Sequence, residues 1–362
     1  MKIDRQFLDH LPESGRVLVA MSGGVDSTIA AYLLCQRGLD VIGVTMELAD
    51  SDKCCLMFEA KATCHSLGIP HYTLDVRQRF QKEIIGYFLR EMQHGRTPNP
   101  CVVCNVDFKF GILLDFAREH GCEYIATGHY ARIVRLANHR LAIGKGNDPK
   151  KDQSYFLHAL TQEQLAATLF PLGPLRKPQV RRWCEENGFP SAEQSDSQDL
   201  CFIPRAGVHA FLSEKLANFQ CEGKIVDSQG NVLGSHQGAM RYTVGQRKGL
   251  GLGGGPWYVI RTDPAKNIVV AGKRDEIMHR GLVASHISWQ GAAGVDDLPP
   301  TPHCQIRYNH RPVPAHVRQR DKDTLEITFS EPQFAVTPGQ AMVLYDDDGH
   351  VLAGGWIDAA IH

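Results

Sequence analysis

A parallel, doubly wound α/β sheet followed by two smaller, β-rich units is the architecture this sequence predicts, and three observations carry the prediction. Short apolar runs alternate with amphipathic helical runs from residue 16 to about residue 130, the pattern of a βα repeat. A glycine turn, Ser22-Gly23-Gly24, sits where the first strand hands over to the first helix. Beyond residue 205 the alternation gives way to short strands split by turn residues, which reads as hairpins.

Taken in order, residues 16–21, 40–46, 71–76 and 123–127 read as strands, and 28–37, a stretch near 59–67, 80–93 and 108–120 as helices. In the second region, 224–227 and 257–260 are followed by Ser-Gln-Gly-Asn and Thr-Asp-Pro-Ala-Lys-Asn turns before further short strands. The glycine-rich stretch from Gly245 to Gly255 reads as a loop able to approach a ligand, and Asp296-Asp-Leu-Pro-Pro-Thr-Pro as a polar connection. From about residue 281, runs at 324–329 and 341–345 predict a small barrel or sandwich. The expected division is 1–205, 206–280 and 281–362.

Composition narrows the class. The chain has 362 residues, 43% hydrophobic and 22% charged, which excludes a disordered chain, a collagen and a coiled coil. No apolar run approaches the roughly eighteen residues a membrane span needs, and the start, MKIDRQFLDHLPESG, lacks the basic-then-apolar pattern of a secretion signal. The expectation is a cytoplasmic protein with no membrane partner. In a reducing compartment the eleven cysteines point to chemically used thiols, metal ligands or packing rather than to a disulfide framework. The net charge of −1 is silent about nucleic acid, but three local stretches are basic. Residues 132–151 hold Arg132, Arg135, Arg140, Lys145, Lys150 and Lys151 against Asp148. Arg176, Lys177, Arg181 and Arg182 cluster, and 303–320 holds Arg307, Arg311, Arg318 and Arg320 with three histidines. Such stripes suit a polyanion, or are solvated faces.

The strongest local signal is Ala20-Met21-Ser22-Gly23-Gly24-Val25-Asp26-Ser27 between strand and helix. The glycines let the backbone bend around an anion, the first helical turn presents N–H groups, and Ser22 and Ser27 add hydroxyls. Asp26 cannot bind phosphate directly, so a Mg²⁺ bridge is its expected role. The stretch is neither GxxxxGK[ST] nor GxGxxG; it resembles the SGGxDS loop of ATP pyrophosphatases. In a doubly wound sheet the ligand lies beyond the carboxyl ends of the strands, which adds Met46, Gly128 and His129 to the same crevice.

Thr97-Pro-Asn99-Pro100-Cys101-Val-Val-Cys104-Asn105 presents two thiols near a helix start, a setting that lowers thiol pKa. Cys201 is a third thiol, in Asp196-Ser-Gln-Asp-Leu-Cys-Phe-Ile-Pro. A zinc site, a redox dithiol and coincidental spacing all fit one CxxC, and no fourth ligand stands near Cys201. Cys54 and Cys55 beside Lys53, and Cys64, are further candidates for the pocket wall; Cys35, Cys64, Cys122 and Cys184 read chiefly as packing.

These motifs, with Lys109-Phe110, Ala126-Thr-Gly-His-Tyr, Lys151-Asp-Gln-Ser-Tyr-Phe-Leu, Tyr242-Thr-Val-Gly-Gln-Arg-Lys-Gly-Leu-Gly and Thr337-Pro-Gly-Gln340, are together similar to the bacterial tRNA-specific 2-thiouridylase family. The resemblance implies an adenine nucleotide alpha hydrolase-like catalytic domain, ATP and Mg²⁺ as cofactors, and tRNA as partner through its anticodon arm. It implies that ATP adenylates the C2 oxygen of the wobble uridine and that persulfide sulfur replaces it. Cys201 would accept the persulfide from a sulfur carrier or cysteine desulfurase, and Cys104 would close a disulfide with it. Asn99, Pro100 and His129 fall where the family meets its tRNA, as do Lys151-Asp152-Gln153, Arg307-Tyr308 and Gln340. Many members carry Asp where this chain has Cys101. An auxiliary base, a neutral replacement, and the third ligand, with Cys104 and Cys201, of a [4Fe–4S] cluster are the alternatives at that position. The rival readings are a small-molecule ligase of the same ATP class and a non-catalytic tRNA-binding or iron–sulfur protein.

Overall fold

A computed structural model describes residues 5–48, 54–193, 200–204, 206–216 and 219–362. Lys53, Asp196 and Arg205, and the side chains of Cys54 and Cys55, lie outside the described residues.

The first unit alternates as expected. β1 (Arg16–Ala20) leads through the glycine turn into α1 (Val25–Arg37), which starts three residues earlier than the apolar pattern suggests and so takes Asp26 and Ser27 into its first turn. Its buried face includes Ile29, Ala30, Leu33 and Leu34, and Gly38, at φ 90°, ends it by donating to the Cys35 carbonyl. Then follow β2 (Asp40–Glu47), α2 (Cys54–Ser66), β3 (His71–Asp75) and α3 (Arg77–Phe80), which runs through a π-helical turn, Gln81–Ile85, into α4 (Gly86–Gln93). α5 (Pro100–Cys104) continues through a π-helical segment, Asn105–Ile112, into α6 (Leu113–Glu119) and β4 (Tyr124–Ala126). The hairpin β5 (Ala131–Arg135) and β6 (Leu141–Lys145), then α7 (Gln162–Ala166), β7 (Thr168–Leu169) and α8 (Lys177–Glu186), complete the unit.

The sheet runs β3-β2-β1-β4-β7 with every neighbouring pair parallel. The chain moves outward from β1 to β3 and then returns to the other side of β1, so the order reverses between β1 and β4. That reversal opens a crevice at their carboxyl ends, where the Ser22–Gly24 turn and Gly128 meet. Two-residue β7 is too short to register as a periodic pattern.

Beyond α9 (Val208–Lys215), β8 (Glu222–Val226), β9 (Val232–Gln237), β10 (Tyr258–Asp263) and β11 (Ile268–Gly272) form a sheet in the order β10-β11-β8-β9. The last unit is a closed barrel, β12 (Met278–Trp289), β13 (His303–Gln305), β14 (Val313–Asp321), β15 (Thr324–Phe334), β16 (Ala341–Tyr345) and β17 (Val351–Ile361), closed in the order β12-β15-β14-β13-β16-β17. Of the two alternatives the sequence left, the barrel is the one formed. It shares a core with the α/β unit: Ala341, Val343, Tyr345 and Val351 pack with Leu18, Ile42, Phe110 and Ile143. Fully buried Gln290 bonds across this junction to the Ile143 N–H and the Leu157 and Leu160 carbonyls. An amide buried without partners would cost a few kcal/mol, so its three bonds also fix the register of the two units.

Candidate functional site

The glycine turn folds as a preorganised cradle. Gly23 is at φ 80°, a conformation that favours glycine. Ser27 Oγ lies 3.2 Å from Ser22 Oγ, accepts from the Ser22 N–H at 3.2 Å and donates to the Gly24 carbonyl at 3.0 Å, bending the turn over the start of α1. Met21 is buried and hydrogen-bonded to the Val44 carbonyl; Ala20 and Met46 sit half-buried beside it, Met46 inside β2 rather than after it. A Cβ on Gly128 would lie 2.8 Å from the Asp26 carbonyl carbon and 2.9 Å from the Ser27 nitrogen, so the β4 loop touches the first turn of α1. Asp26 is not poised for a metal. Both its oxygens accept from Lys177 Nζ, at 2.7 and 2.8 Å, and one also accepts from the Tyr130 hydroxyl at 2.8 Å. The expected Mg²⁺ bridge at Asp26 does not fit this arrangement, because the carboxylate is already satisfied by an ammonium. Neither Lys177 nor Tyr130 was legible as a partner of Asp26, since both lie more than a hundred residues away.

The thiols stand on other elements of the same unit. Pro100 begins α5, and Cys101 and Cys104, three apart, share a face of it. Cys104 is buried in a cluster with Val76, Phe80, Phe108 and Ile203. Cys201 is exposed, but its neighbours Leu200 and Phe202 pack against that same cluster, Phe202 edge-on to Phe88 at 5.5 Å, which holds Cys201 near the CxxC. Among the described residues no disulfide joins Cys104 to Cys201. The expected lowering of thiol pKa does not occur. Burial raises Cys101 and pushes Cys104 up to about 12, against the opposing pull of the Lys109 ammonium; loss of solvent outweighs the position at a helix start. Cys35 is half-buried, Cys64, Cys122, Cys184 and Cys304 are buried and Cys221 is exposed, so packing is the reading for most of the cysteines. Iodoacetamide at neutral pH is therefore expected to label Cys201 and Cys221 well before Cys104, with Cys104 labelling rising about tenfold per pH unit below its pKa. Peptide mass spectrometry reads the order, and equal rates at Cys104 and Cys201 would refute the burial argument.

Lys109 links the cysteine helix to the β4 loop. It lies on the π-helical segment after α5, and its Nζ approaches His129 Nε2 at 3.5 Å. His129 is buried between Phe110 and Phe170, with Nδ1 2.6 Å from Thr127 Oγ1. Burial, and then Lys109, hold its pKa well below the usual histidine value. The imidazole is thus neutral, Nε2 accepting from the ammonium and Nδ1 donating to Thr127.

The barrel supplies a clasp. Gln340 Nε2 donates to the Thr97 carbonyl at 2.9 Å, the Thr97 N–H donates to the Pro338 carbonyl at 2.9 Å, and Arg96 pairs with Asp358 at 3.5 Å. Asn99 and Pro100 are buried under it, Asn99 hydrogen-bonded to Tyr155. Gln340→Ala is expected to speed amide hydrogen exchange at residues 97–104 severalfold while α1 is unchanged, because one bond to a loop contributes about 1 kcal/mol. Unchanged exchange at 97–104 would show that the clasp does not hold the loop.

The remaining expected contacts are spread over the surface. Asp152 accepts from the Gly146 and Ser154 N–H groups and so staples its own loop beside Lys151, while Gln153 Oε1 accepts from the Tyr130 N–H and ties that loop to the one after β4. Arg307 donates to the Phe334 and Ala335 carbonyls. Tyr308 is exposed and packs on Phe156 with ring centroids 4.6 Å apart. The basic stretches are partly spent: Arg140 donates to the Trp289 and Gln290 carbonyls, and Arg318 and Arg320 both pair with Glu326, an acid on the adjacent strand. Among the described residues no helix is long and apolar enough to cross a membrane.

Fold and site together define a nucleotide-binding type of α/β protein with a glycine turn at the start of α1 and a cysteine pair on α5. Profiles described as a tRNA methyl transferase HUP domain, a tRNA methyl transferase PRC-barrel domain and an aminomethyltransferase beta-barrel domain match residues 15–205, 209–273 and 279–357. The chain is 44% identical over 361 residues to the tRNA-specific 2-thiouridylase MnmA of Geobacter metallireducens, covering 96% of this chain and 97% of that one. It is 44% identical to the protein of the same name from Geotalea uraniireducens (96% of each) and 43% identical to that of Carboxydothermus hydrogenoformans (95% and 97%). The chain belongs to the tRNA-specific 2-thiouridylase family.

Proposed function

We propose that this protein converts the wobble uridine of tRNA to 2-thiouridine in the cytoplasm, as a tRNA-uridine 2-sulfurtransferase, with the catalytic unit at 1–205, a central unit at 206–280 and the barrel at 281–362. The observation that carries the reading is the Lys109–His129 contact, which links the helix that bears the cysteine pair to the β4 loop packed on the glycine turn. ATP binds at Ala20–Ser27, Met46 and Gly128, with its phosphates at the turn and the start of α1. The uridine C2 oxygen attacks the α-phosphorus, the α–β bridging bond breaks, and pyrophosphate leaves with the electron pair. Cys201, exposed to a donor, carries a persulfide whose terminal sulfur attacks C2 as AMP departs. Cys104 Sγ then attacks Cys201 Sγ, its proton passing to the base as the sulfur is released there, which closes a disulfide; an external thiol reductant must reopen it.

Asn99, Pro100 and His129 surround the target base, and Lys151, Asp152, Gln153, Arg307, Tyr308 and Gln340 support the tRNA. Tyr308 is placed to stack and Lys151 to meet phosphate; the others position loops. Cys101 stands beside the reacting pair as an auxiliary thiol. Cluster ligation is the alternative to that disulfide chemistry: Cys101, Cys104 and Cys201 would then be the thiolates that hold a [4Fe–4S] cluster, which would supply an iron site for sulfur. The test is anaerobic incubation of unmodified tRNA with the protein, ATP and a persulfide donor, followed by nucleoside mass spectrometry. An ATP-dependent exchange of oxygen for sulfur on uridine is expected. ATP turnover with a small acceptor and no sulfur gain on tRNA would overturn the reading.

A further inference from the structure

Lys177 is the first residue of α8, and its side chain is only 11% exposed. Two anchors fix it. Its backbone N–H donates to Asp148 Oδ2 at 2.9 Å, and its ammonium donates to both oxygens of Asp26. Asp26 is the second residue of α1, so a nearly buried cation stands at the mouth of the turn whose N–H groups and hydroxyls face an anion. A carboxylate at that place is already favoured by the helix dipole and is also bonded to Tyr130. Holding a lysine there as well costs desolvation and side-chain entropy beyond what Asp26 needs. The tyrosine in turn is tied to Gln153 in both directions, by Gln153 Oε1 accepting from the Tyr130 N–H at 3.0 Å and the Gln153 N–H donating to the Tyr130 carbonyl at 2.9 Å, so the ammonium is held on a rigid frame.

We propose that Lys177 is a further catalytic residue of the ATP site, its ammonium engaging the β- and γ-phosphates and stabilising the pyrophosphate that leaves. Asp26 is its holder, keeping the charge at the cradle before nucleotide arrives. No proton moves: as the α–β bridging bond breaks, the added negative charge on pyrophosphate is met by the fixed ammonium. The inference deepens the proposed ATP chemistry and rests on it.

The test is a calorimetric comparison of ATP and AMP binding to the full chain, to Lys177→Met, to Asp26→Asn and to the double variant, with Lys177→Arg as the charge-conserving control. AMP lacks the phosphates Lys177 is assigned to. Lys177→Met is expected to weaken ATP by about tenfold or more and AMP by less than about twofold, in the Asp26 and the Asp26→Asn backgrounds alike, with most of the loss recovered by Lys177→Arg. The double variant leaves no uncompensated carboxylate, so a folding defect of the single variant does not obscure the answer. If removing Asp26 as well restores ATP binding, Lys177 merely neutralises Asp26 and the inference is overturned. It is equally overturned if ATP and AMP weaken together or if ATP binding does not change. Absence of ATP binding by the unsubstituted chain would overturn the nucleotide reading itself, a separate and distinguishable result.

Discussion

Cys201→Ser is expected to abolish sulfur transfer to tRNA, by at least about a thousandfold, while ATP affinity stays within about twofold. The separation follows from placement. Cys201 is exposed in a short segment anchored through Leu200 and Phe202 to the cluster that buries Cys104, whereas the phosphate cradle is built from the start of α1, the end of β1 and the β4 loop. A hydroxyl cannot carry a persulfide, and among the three thiols only this one combines exposure with a position near the buried Cys104. Nucleoside mass spectrometry gives the first readout and calorimetry the second. Full thiolation by Cys201→Ser would remove Cys201 from the pathway and leave Cys101 as the carrier to examine.

Gly128→Ala is expected to weaken ATP binding by more than about tenfold and to cost about 1–3 kcal/mol of stability, the range for overpacking a tight contact. The added methyl would meet backbone on the facing side, the Asp26 carbonyl carbon at 2.8 Å and the Ser27 nitrogen at 2.9 Å, so no rotamer change relieves it. Either the first turn of α1 retreats or the Thr127–His129 loop does, and both movements open the cradle and shift His129 away from Lys109. Calorimetry with ATP and urea unfolding test the two parts. Unaltered ATP affinity in a folded Gly128→Ala protein would show that the close approach has no part in nucleotide binding.

The βα order, the phosphate turn and the β-rich character of the last unit were legible because each rests on local chemistry: periodicity of apolar residues, a backbone that needs glycine, and apolar strand runs between turn residues; closure into a barrel depends on pairing between distant strands. What the sequence concealed depends on tertiary neighbours. Lys177 and Tyr130 meet Asp26 across 151 and 104 residues, and nothing near Asp26 announces an ammonium. The thiols came out opposite to the local rule, since position at a helix start argues for acidity while burial beneath Phe80 and Phe108 raises Cys104. The basic stretch at 303–320 contains no acid, yet Glu326 on the adjacent strand claims Arg318 and Arg320. Gln340 was noticed as a tRNA contact by resemblance; its bond to Thr97 needed the folded barrel to be seen.

That bond has a consequence for how the molecule is made. Thr97 and Gln340 are 243 residues apart, so at the usual pace of roughly 5–20 residues per second the ribosome adds the fastening roughly 12–50 s after the loop it fastens. The nascent chain possesses the phosphate turn early and the braced CxxC only after residue 340 has been added. Vectorial synthesis thereby delays the bracing of the cysteine loop until β16 and β17 emerge, and the same strands complete the core beneath β1 and β2.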